Sequence, residues 1–458
     1  MTPFASGSLR AAAPRLLTGR GDRLSCALVY AARRQRFLER MGPGAVAFLS
    51  GARLLTRSAD TEFPFRQDSD FHYLTGFDQP HAVAVLRSDG GPPYTLFVEP
   101  RDRAAETWTG YRPGVEGAVA DFGADEAYPI GELDAKLPSL LERAQRLCHV
   151  LDRDAKLDAR IIEILEQMRL RSRQGLDPAA EIVDPRRILH EMRLVKEPAE
   201  LEIMRRAAAI SAEAHREAAR SAEDGRFEYE LEATLHYQFR RLGAAGPAYG
   251  SIVGGGRNAT VLHYIRNDQK LVDGELVLID AGCELEGYAS DVTRTYPVGG
   301  VYRGPQRAVY EVVLEANLAG LALAKPGGTL AGIHAASTRR LVEGMVELGL
   351  LSGAVDELVR SEAHRRYYMH NTSHWLGLDV HDVGPYAVDG KPRMLAPGMV
   401  FTVEPGLYVA ADDEQAPAEL RGIGVRIEDD VAITGGGCEV LTAAIPKHPA
   451  DVEAWVRD

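Results

Sequence analysis

The feature that most constrains this chain is a local design that occurs twice, an apolar strand carrying one carboxylate. Residues 274–282 read Gly-Glu-Leu-Val-Leu-Ile-Asp-Ala-Gly, and residues 398–406 read Gly-Met-Val-Phe-Thr-Val-Glu-Pro-Gly. Asp280 and Glu404 each lie six residues after the first glycine of their stretch. Burying an ionised carboxylate costs several kcal/mol unless a cation or a proton compensates its charge. Two such strands in one chain therefore favour a shared cation, which we interpret as metal.

Each of these strands is followed by a return segment with a second acid. In the first half, the return segment 288–295 carries Asp291. If this hairpin is symmetric, Asp280 and Asp291 face each other with their Cβ atoms about 5 Å apart. In the second half, an excursion over 409–422 leads to a strand that carries Glu428. Like charges at this spacing repel unless a divalent cation lies between them, so we predict that four carboxylates converge on metal.

A histidine accompanies each half at a comparable position. His263 closes a short apolar segment before the first strand, and His381 closes a similar segment before the second. The second half also carries His370 and His374. A single histidine of this kind is more often a hydrogen-bonded core residue than a ligand, by roughly three to one. The repeated combination of acids and histidine, rather than any one residue, favours the metal interpretation.

The motifs around these residues resemble the proline-specific peptidases of the pita-bread fold. The resemblance is carried by residues 279–282, 291–295, 370–384, 404–406 and 424–429. Within that family the chain is most similar to bacterial-type aminopeptidase P, and the similarity runs from about residue 30 to the end. The implied fold class is α/β (α+β), with an amino-terminal creatinase-like α/β domain before a pseudo-twofold pita-bread catalytic domain.

The resemblance also implies a dinuclear metal centre with five protein ligands. These are Asp280, Asp291, His374, Glu404 and Glu428, of which Asp291 and Glu428 would bridge two divalent ions. Ligation dominated by oxygen with a single imidazole suits manganese, cobalt or iron better than a structural zinc ion. Manganese is the ion that the family usually holds, so we expect two Mn²⁺ ions as cofactors.

The activity implied by the resemblance is hydrolysis of the bond between an amino-terminal residue and a following proline. A hydroxide that bridges the two ions would attack the carbonyl, because bound cations lower the pKa of water by many units. Glu404 would relay a proton to the leaving nitrogen. His263 and His381 would hydrogen-bond the substrate and the oxyanion. The partners are accordingly peptides with proline at the second position.

Three further residues match positions on the substrate side of the family's site. His370 would line the pocket for proline, and Arg426 would orient an acidic ligand through its planar guanidinium. Tyr249 also matches a site position. Asn371 stands where these enzymes usually have glycine. Because asparagine tolerates a left-handed backbone better than most residues, we expect the turn to survive with altered pocket mobility at most.

Other functions stay open at this stage. A prolidase, or Xaa-Pro dipeptidase, would use the same metal site but cut only dipeptides. A methionine aminopeptidase would share the fold but ordinarily lacks a large amino-terminal domain. A non-enzymatic binding protein on this fold would be expected to lose metal ligands, and all five are present here.

Length and composition agree with an enzyme of two domains. The 458 residues are divided into an extension over 1–28, an amino-terminal domain over 29–180 and a catalytic domain over 181–458. The net charge of -13 argues against nucleic acid as a partner. No apolar run is long enough to span a membrane. We expect free cysteines and a cytoplasmic enzyme, although the Arg-rich extension resembles a transit peptide, a disordered tail or a misassigned start.

Secondary structure and assembly are predicted more coarsely. Short apolar strands alternate with helices over 130–147 and 158–171, which favours an α/β domain. Pro198 opens a long helix that extends to about residue 219. Trp108 and Arg173 match positions that can reach a neighbouring subunit's cleft in relatives, so we expect a homodimer or homotetramer. Their plainer interpretations are a core aromatic and a solvated charge.

Overall fold

A computed structural model of the chain describes residues 20–457. These residues form two compact units, which divide between Met192 and Arg193. Most of the predicted extension over 1–28 lies outside the described residues, although the first helix already begins at Arg20. The domain boundary after residue 180 stays a prediction, because the division by contacts follows the chain further, past the strand Glu181–Val183.

The first unit is built on one sheet. Its strands are β1 (Ala45–Ser50), β2 (Thr56–Ser58), β3 (Thr61–Glu62), β4 (Val83–Arg87), β5 (Tyr94–Val98), β6 (Glu126–Pro129), β7 (Arg146–His149) and β8 (Glu181–Val183). Six of them form the sheet, in the order β6-β5-β4-β1-β7-β8. β4 runs antiparallel to both of its neighbours, and the other pairs are parallel. A mixed sheet of this kind with flanking helices confirms the α/β prediction.

Helices cover the sheet of the first unit. They are α1 (Arg20–Met41), α2 (Ser69–Thr75), α3 (Arg103–Thr109), α4 (Gly114–Ala120), α5 (Leu133–Leu141) and α6 (Ala155–Leu170). Leucines and isoleucines of α5 and α6 pack on the sheet residues Val46 and Phe48. The helix predicted over 130–147 is too long, because its last residues form β7 instead. Leu147 and Cys148 are buried in the sheet, and this tertiary burial outweighs the local helical pattern.

The second unit contains two helix pairs, each followed by strands. After the connecting helix α7 (Arg186–Leu194), its helices are α8 (Pro198–Arg220), α9 (Glu228–Arg241), α10 (Gly304–Leu321), α11 (Leu330–Glu347), α12 (Val355–Arg360) and α13 (Pro449–Arg457). Pro198 opens α8 as predicted, and Glu197 and Glu200 form a capping box there. Both helix pairs contribute to one apolar core that includes Leu235, Val313 and Leu341.

The strands of the second unit form small antiparallel sheets. They are β9 (Gly246–Pro247), β10 (Ile252–Gly255), β11 (Leu276–Asp280), β12 (Cys283–Leu285), β13 (Tyr288–Ala289), β14 (Thr293–Pro297), β15 (Ala387–Val388), β16 (Lys391–Pro392), β17 (Val400–Val403), β18 (Gly406–Tyr408), β19 (Gly424–Arg426), β20 (Asp429–Ile433) and β21 (Cys438–Val440). One three-stranded sheet has the order β10-β11-β14, and another has the order β17-β20-β21. The two acidic strands predicted from the sequence are the centre of the first sheet and an edge of the second.

The register of the first hairpin differs from the prediction. Asp280 pairs with Thr293 rather than with Asp291. The turn is centred on Glu286 and Gly287, which both have positive φ, as the two central residues of a type I′ turn require. This turn lies one position later than a hairpin with Asp280 opposite Asp291 needs. Asp291 therefore lies two residues from the partner of Asp280, on the same face but diagonal to it.

The second hairpin has the acids directly opposite each other. Val403 pairs with Asp429 and Gly406 pairs with Arg426, so the same register places Glu404 opposite Glu428. Each of these acids lies at a break between two short paired segments. At such breaks a side chain is not committed to a flat sheet, which leaves it free to turn towards a ligand.

Two expectations about composition can also be compared with the structure. Cys148, Cys283 and Cys438 are free, as predicted, whereas the side chain of Cys26 lies outside the described part of the chain. Among the described helices, none combines the length and the apolar character that crossing a bilayer demands.

The close packing of the first hairpin makes Gly282 a sensitive position. A Cβ atom at this residue would lie 1.7 Å from the carbonyl oxygen of Ser290. We expect Gly282→Ala to lower the free energy of unfolding by about 1 to 3 kcal/mol, because the return segment must move. Chemical denaturation measures this loss, with Gly304→Ala as control, since a Cβ at Gly304 meets no atom within 4 Å. Equal stability of the two variants would contradict the described register.

Candidate metal centre

Three of the predicted ligands form a compact group in the second unit. One ligand atom from each of Asp291, His374 and Glu428 lies within 4.8 Å of the other two. Asp291 lies two residues before the start of β14, and Glu428 immediately precedes β20. His374 is fixed to β17, since its backbone N–H donates to the hydroxyl of Thr402 over 3.1 Å. The two hairpins and the segment before β17 thus meet at one point.

The hydrogen bonds of His374 leave one ring nitrogen directed at the acids. Its Nδ1 lies 3.0 Å from the carbonyl oxygen of Trp375, which can only accept, so Nδ1 carries the proton. Its Nε2 lies 3.4 Å from Oδ2 of Asp291 and 3.5 Å from Oε1 of Glu404. In the neutral ring this nitrogen has a free lone pair, and a carbonyl that fixes the opposite nitrogen is the usual arrangement at metal-binding histidines.

Asp280 and Glu404 complete the predicted set of five. The hydroxyl of Tyr249 lies 2.6 Å from Oδ1 of Asp280 and 2.6 Å from Oδ1 of Asp291, which brings these two carboxylates together. Glu404 approaches from the other hairpin through its contact with His374. The structure therefore places the side chains of five residues close together, namely Asp280, Asp291, His374, Glu404 and Glu428.

Arg426 is the cation that contacts this acidic group. Its Nη2 donates to Oδ2 of Asp280 over 2.5 Å, its Nε to the hydroxyl of Thr293 over 3.0 Å and its Nη1 to the hydroxyl of Tyr408 over 3.1 Å. The side chain of Arg426 is 5% exposed. The three contacts use the fixed geometry of one guanidinium, and one of them is to the predicted ligand Asp280.

The raised pKa values of the carboxylates show that negative charge is crowded in the site. Burial, reinforced by the neighbouring carboxylates, raises the pKa of Glu404 to about 7 and that of Glu428 well above its ordinary value. Burial also raises the pKa of Asp280, against the opposing effect of Arg426. Although burial lowers it, the carboxylates of Asp291 and Glu404 raise the pKa of His374 to about 9. One guanidinium and one protonated imidazole do not compensate four acids, so the donor set fits divalent cations.

The other predicted histidines lie around the acids. The ring of His381 meets that of His374 edge to face, with 4.5 Å between their centroids. His263 is exposed, and it is one of the charges that lower the pKa of His370 and of His381. The Nε2 of His370 lies 2.9 Å from the hydroxyl of Tyr408, and burial is the largest cause that lowers its pKa to about 4.

The expectation about Asn371 is not met in one respect. This residue is absent from the described non-glycine residues that have positive φ, so the glycine that relatives usually carry is not needed here for a left-handed turn. Its carbonyl oxygen instead lies 2.8 Å from Nδ1 of His370 and fixes that ring.

Several supporting residues were not predicted from the sequence. The hydroxyl of Thr293 donates to Oε2 of Glu428 over 2.6 Å, and the backbone N–H of Asp291 donates to the carboxylate of Asp430. Tyr408 connects Arg426 to His370. A signal for two of them was present, because Thr293 and Asp430 follow the predicted acids at the two-residue period of one strand face.

A second polar network lies directly behind the acids. Arg294 donates to Oδ1 of Asp429 over 2.7 Å, and Lys447 donates to Oδ2 over 2.6 Å. Arg294 also donates to the carbonyl oxygen of Glu428. Burial would raise the pKa of Asp429, but the two cations keep it below its ordinary value. This network ties the backbone of Glu428 in place from the face opposite its carboxylate.

The chain matches two known protein families. Residues 202–435 match metallopeptidase family M24, and residues 30–149 match the aminopeptidase P amino-terminal domain. The Xaa-Pro aminopeptidase of Escherichia coli (strain K12) is 47% identical over 424 residues, which cover 92% of this chain and 96% of that protein.

Solved structures agree with these matches. Aminopeptidase PepP of Pseudomonas aeruginosa superposes with a TM-score of 0.92 at 47% identity, covering 94% of this chain and 98% of that one. A single-residue variant of Escherichia coli aminopeptidase P in complex with substrate has a TM-score of 0.90 at 46% identity, with coverage of 94% and 98%. The chain therefore belongs to metallopeptidase family M24 and carries both domains of its aminopeptidase P group.

Proposed function

We propose that this chain is a metal-dependent Xaa-Pro aminopeptidase, which removes an amino-terminal residue that precedes proline. The observation that carries the proposal is the convergence of Asp291, His374 and Glu428, whose ligand atoms lie within 4.8 Å of one another. The neighbouring Asp280 and Glu404 bring the set to five donors. The Escherichia coli relative, which matches over 92% of this chain, is itself an Xaa-Pro aminopeptidase.

The donor set supports a centre of two divalent cations, for which we propose manganese. Four carboxylates balance the charge of two such ions when the imidazole is neutral. Asp291, His374 and Glu428 would hold the cations together with Asp280 and Glu404. Cations bound there would lower the pKa of a water molecule and polarise the scissile carbonyl.

Glu404 is the proposed proton carrier. Its Oε1 lies 3.5 Å from Nε2 of His374, and a carboxylate held beside the reacting groups can accept and donate a proton. Its side chain is 17% exposed, so it is open to a ligand on one side. Glu404 would take the proton of the attacking water and deliver it to the leaving proline nitrogen.

The histidines are proposed to bind the substrate. His381 and His263 have exposed side chains beside the acids, where a ring N–H can donate to a peptide carbonyl or to an oxyanion. His370 lies against the ring of Tyr368, with 4.9 Å between the centroids, and against Tyr408. A neutral imidazole between two aromatic rings provides a surface that suits the ring of proline.

Assembly and location are further parts of the proposal. Trp108 is 89% exposed, which excludes the core interpretation and supports a contact with a second subunit in a homodimer or homotetramer. Arg173 is exposed as well. The free cysteines Cys148, Cys283 and Cys438 support a reducing compartment, for which we propose the cytoplasm.

Substrate length separates this function from that of a prolidase. With the protein loaded with Mn²⁺, we expect cleavage of Xaa-Pro-Yaa tripeptides at a kcat/KM at least ten-fold above that for Xaa-Pro dipeptides. Chromatographic detection of the released amino acid measures both rates, with Xaa-Ala-Yaa peptides as the control for the proline requirement. Preferential cleavage of dipeptides would make the chain a prolidase.

Glu404→Gln should lose activity by about 10²-fold or more.

The raised pKa values predict that cation binding releases protons. At pH values near or below 7, Glu404 is partly protonated, and the carboxylate must lose its proton to become a ligand. Affinity for Mn²⁺ should therefore rise with pH through neutrality. Titration calorimetry in two buffers of different ionisation enthalpy counts the released protons, and Glu404→Gln should release fewer. Binding without proton release near pH 6 would contradict the described charge crowding.

The three contacts of Arg426 predict that lysine cannot replace it. A lysine amine can satisfy one of Asp280, Thr293 and Tyr408 but not all three. We expect Arg426→Lys to weaken metal binding by about 10- to 100-fold, as changes behind metal ligands usually do. Metal analysis after dialysis against graded Mn²⁺ measures this loss. Arg421→Lys is the matched control, because Arg421 donates only to backbone carbonyls. Identical binding curves would contradict the role of Arg426.

A further inference from the structure

A buried cluster of charges lies beside the segment of the catalytic unit that carries His381. Asp382 has its two carboxylate oxygens on different cations, with Oδ1 2.5 Å from Nη2 of Arg193 and Oδ2 2.8 Å from Nζ of Lys196. The side chains of Asp382 and Lys196 are 1% exposed, and that of Arg193 is 3% exposed. None of these residues belongs to the metal centre described above.

Asp382 directly follows His381 in the chain. Its backbone N–H donates to the carbonyl oxygen of Trp375 over 2.8 Å, and the same carbonyl accepts from Nδ1 of His374. Two residues earlier than His381, Asp379 accepts from Arg193 over 2.7 Å. Ion pairs therefore hold the backbone on both sides of His381. The hydrogen bond from Asp382 also ties this segment to the carbonyl of Trp375, which orients the ring of His374.

The other end of the cluster is anchored to the second acidic strand. The backbone N–H of Lys196 donates to the carbonyl oxygen of Gly398, and Val195 forms a bridge with Met399. These residues lead into β17, which ends next to Glu404. The cluster thus fixes the His381 segment to the strand that presents Glu404.

The local sequence makes room for this cluster. A Cβ atom at Gly377 would lie 2.1 Å from Oδ2 of Asp382 and 2.8 Å from Cε of Lys196. Buried ion pairs give little net stability compared with apolar side chains of similar volume, because desolvation of the charges offsets their attraction. Stability alone is therefore a weak account of three buried charges and a glycine that accommodates them.

We propose that Lys196, Arg193 and Asp382 are positioning residues that hold the ring of His381 beside the metal ligand His374. This inference rests on the proposed function, because it assigns the geometry of a histidine that acts on substrate. The ring of His381 stands edge to face on that of His374, and its own side chain is exposed. Its position is consequently set by the backbone, which the buried ion pairs fix at Asp379 and Asp382.

The test is a double-substitution cycle on the Mn²⁺-loaded enzyme. Lys196→Met removes one cation, keeps most of the side-chain volume and leaves Arg193 on Asp382. We expect its kcat for an Xaa-Pro-Yaa peptide to fall about 10- to 100-fold, as small displacements of a reacting group do, with KM and bound metal unchanged. In the His381→Ala background the same substitution should change kcat less than two-fold. Asp379→Asn, at a half-exposed position, is the second variant and should behave in the same way.

Controls separate this inference from a general loss of stability. Arg205→Met removes an ion pair with Glu439 at the surface of the same unit and should leave kcat unchanged. Lys196→Arg, which restores the positive charge, should recover part of the lost kcat. Additive losses from Lys196→Met and His381→Ala would overturn the inference, and so would a change in KM or metal content without a change in kcat.

The outcomes also distinguish this inference from the proposed function. If the native enzyme does not cleave Xaa-Pro-Yaa peptides, the proposed function is wrong. If it cleaves them and His381→Ala keeps the native kcat, the function stands and the positioning role is overturned, since His381 then contributes nothing to be positioned.

Discussion

The repulsion among four carboxylates, three of them buried, is the constraint on which the catalytic unit depends. Two unit charges 4 Å apart interact by about 4 kcal/mol at the effective dielectric typical of partly exposed sites. Arg426 compensates Asp280 directly, whereas the other acids are contacted by the rings of His374 and His370 and by tyrosine and threonine hydroxyls. A fold that keeps these four carboxylates together without metal must hold the backbone of each one in place. The two hairpins do so, because each fixes two of the four acids through its own strand pairing.

Alternation along the strand places the acids of the proposed metal centre on one face and the acid that pairs with buried cations on the other. Along the return strand of the second hairpin, Arg426, Glu428 and Asp430 contact the site or the backbone of Asp291. The intervening Asp429 points the other way and pairs with two cations, Arg294 and Lys447. Consecutive acids therefore have opposite pKa shifts, since Glu428 lies among carboxylates while Asp429 lies between cations. A one-residue slip would exchange these environments.

The sequence allowed the site to be predicted better than the path of the chain. The five residues that converge could be chosen from the sequence because buried acids in apolar strands are costly and because their motifs resemble a known family. The register of the first hairpin could not, since it depends on which two residues adopt positive φ, and Glu286 gives no clear signal for that conformation. The helix predicted over 130–147 runs into the strand Arg146–His149, because only burial in the sheet distinguishes that strand. Contacts through Tyr408 join segments far apart in sequence, which spacing alone cannot reveal.

The buried ion pairs of the catalytic unit share a pattern that surface pairs lack. Exposed pairs such as Arg307 with Glu311 contribute little to stability, because solvent screens their charges. By contrast, Asp429 directly follows Glu428 of the proposed metal centre, and Asp382 directly follows His381. Burying a charge is costly. Buried ion pairs at Asp429 and Asp382, each one residue after a residue of the proposed site, therefore indicate that they fix the geometry of that site. The ion pairs of Asp429 and Asp382 fix the backbone behind the site. The carboxylates of the site can then stay close together without a matching number of protein cations.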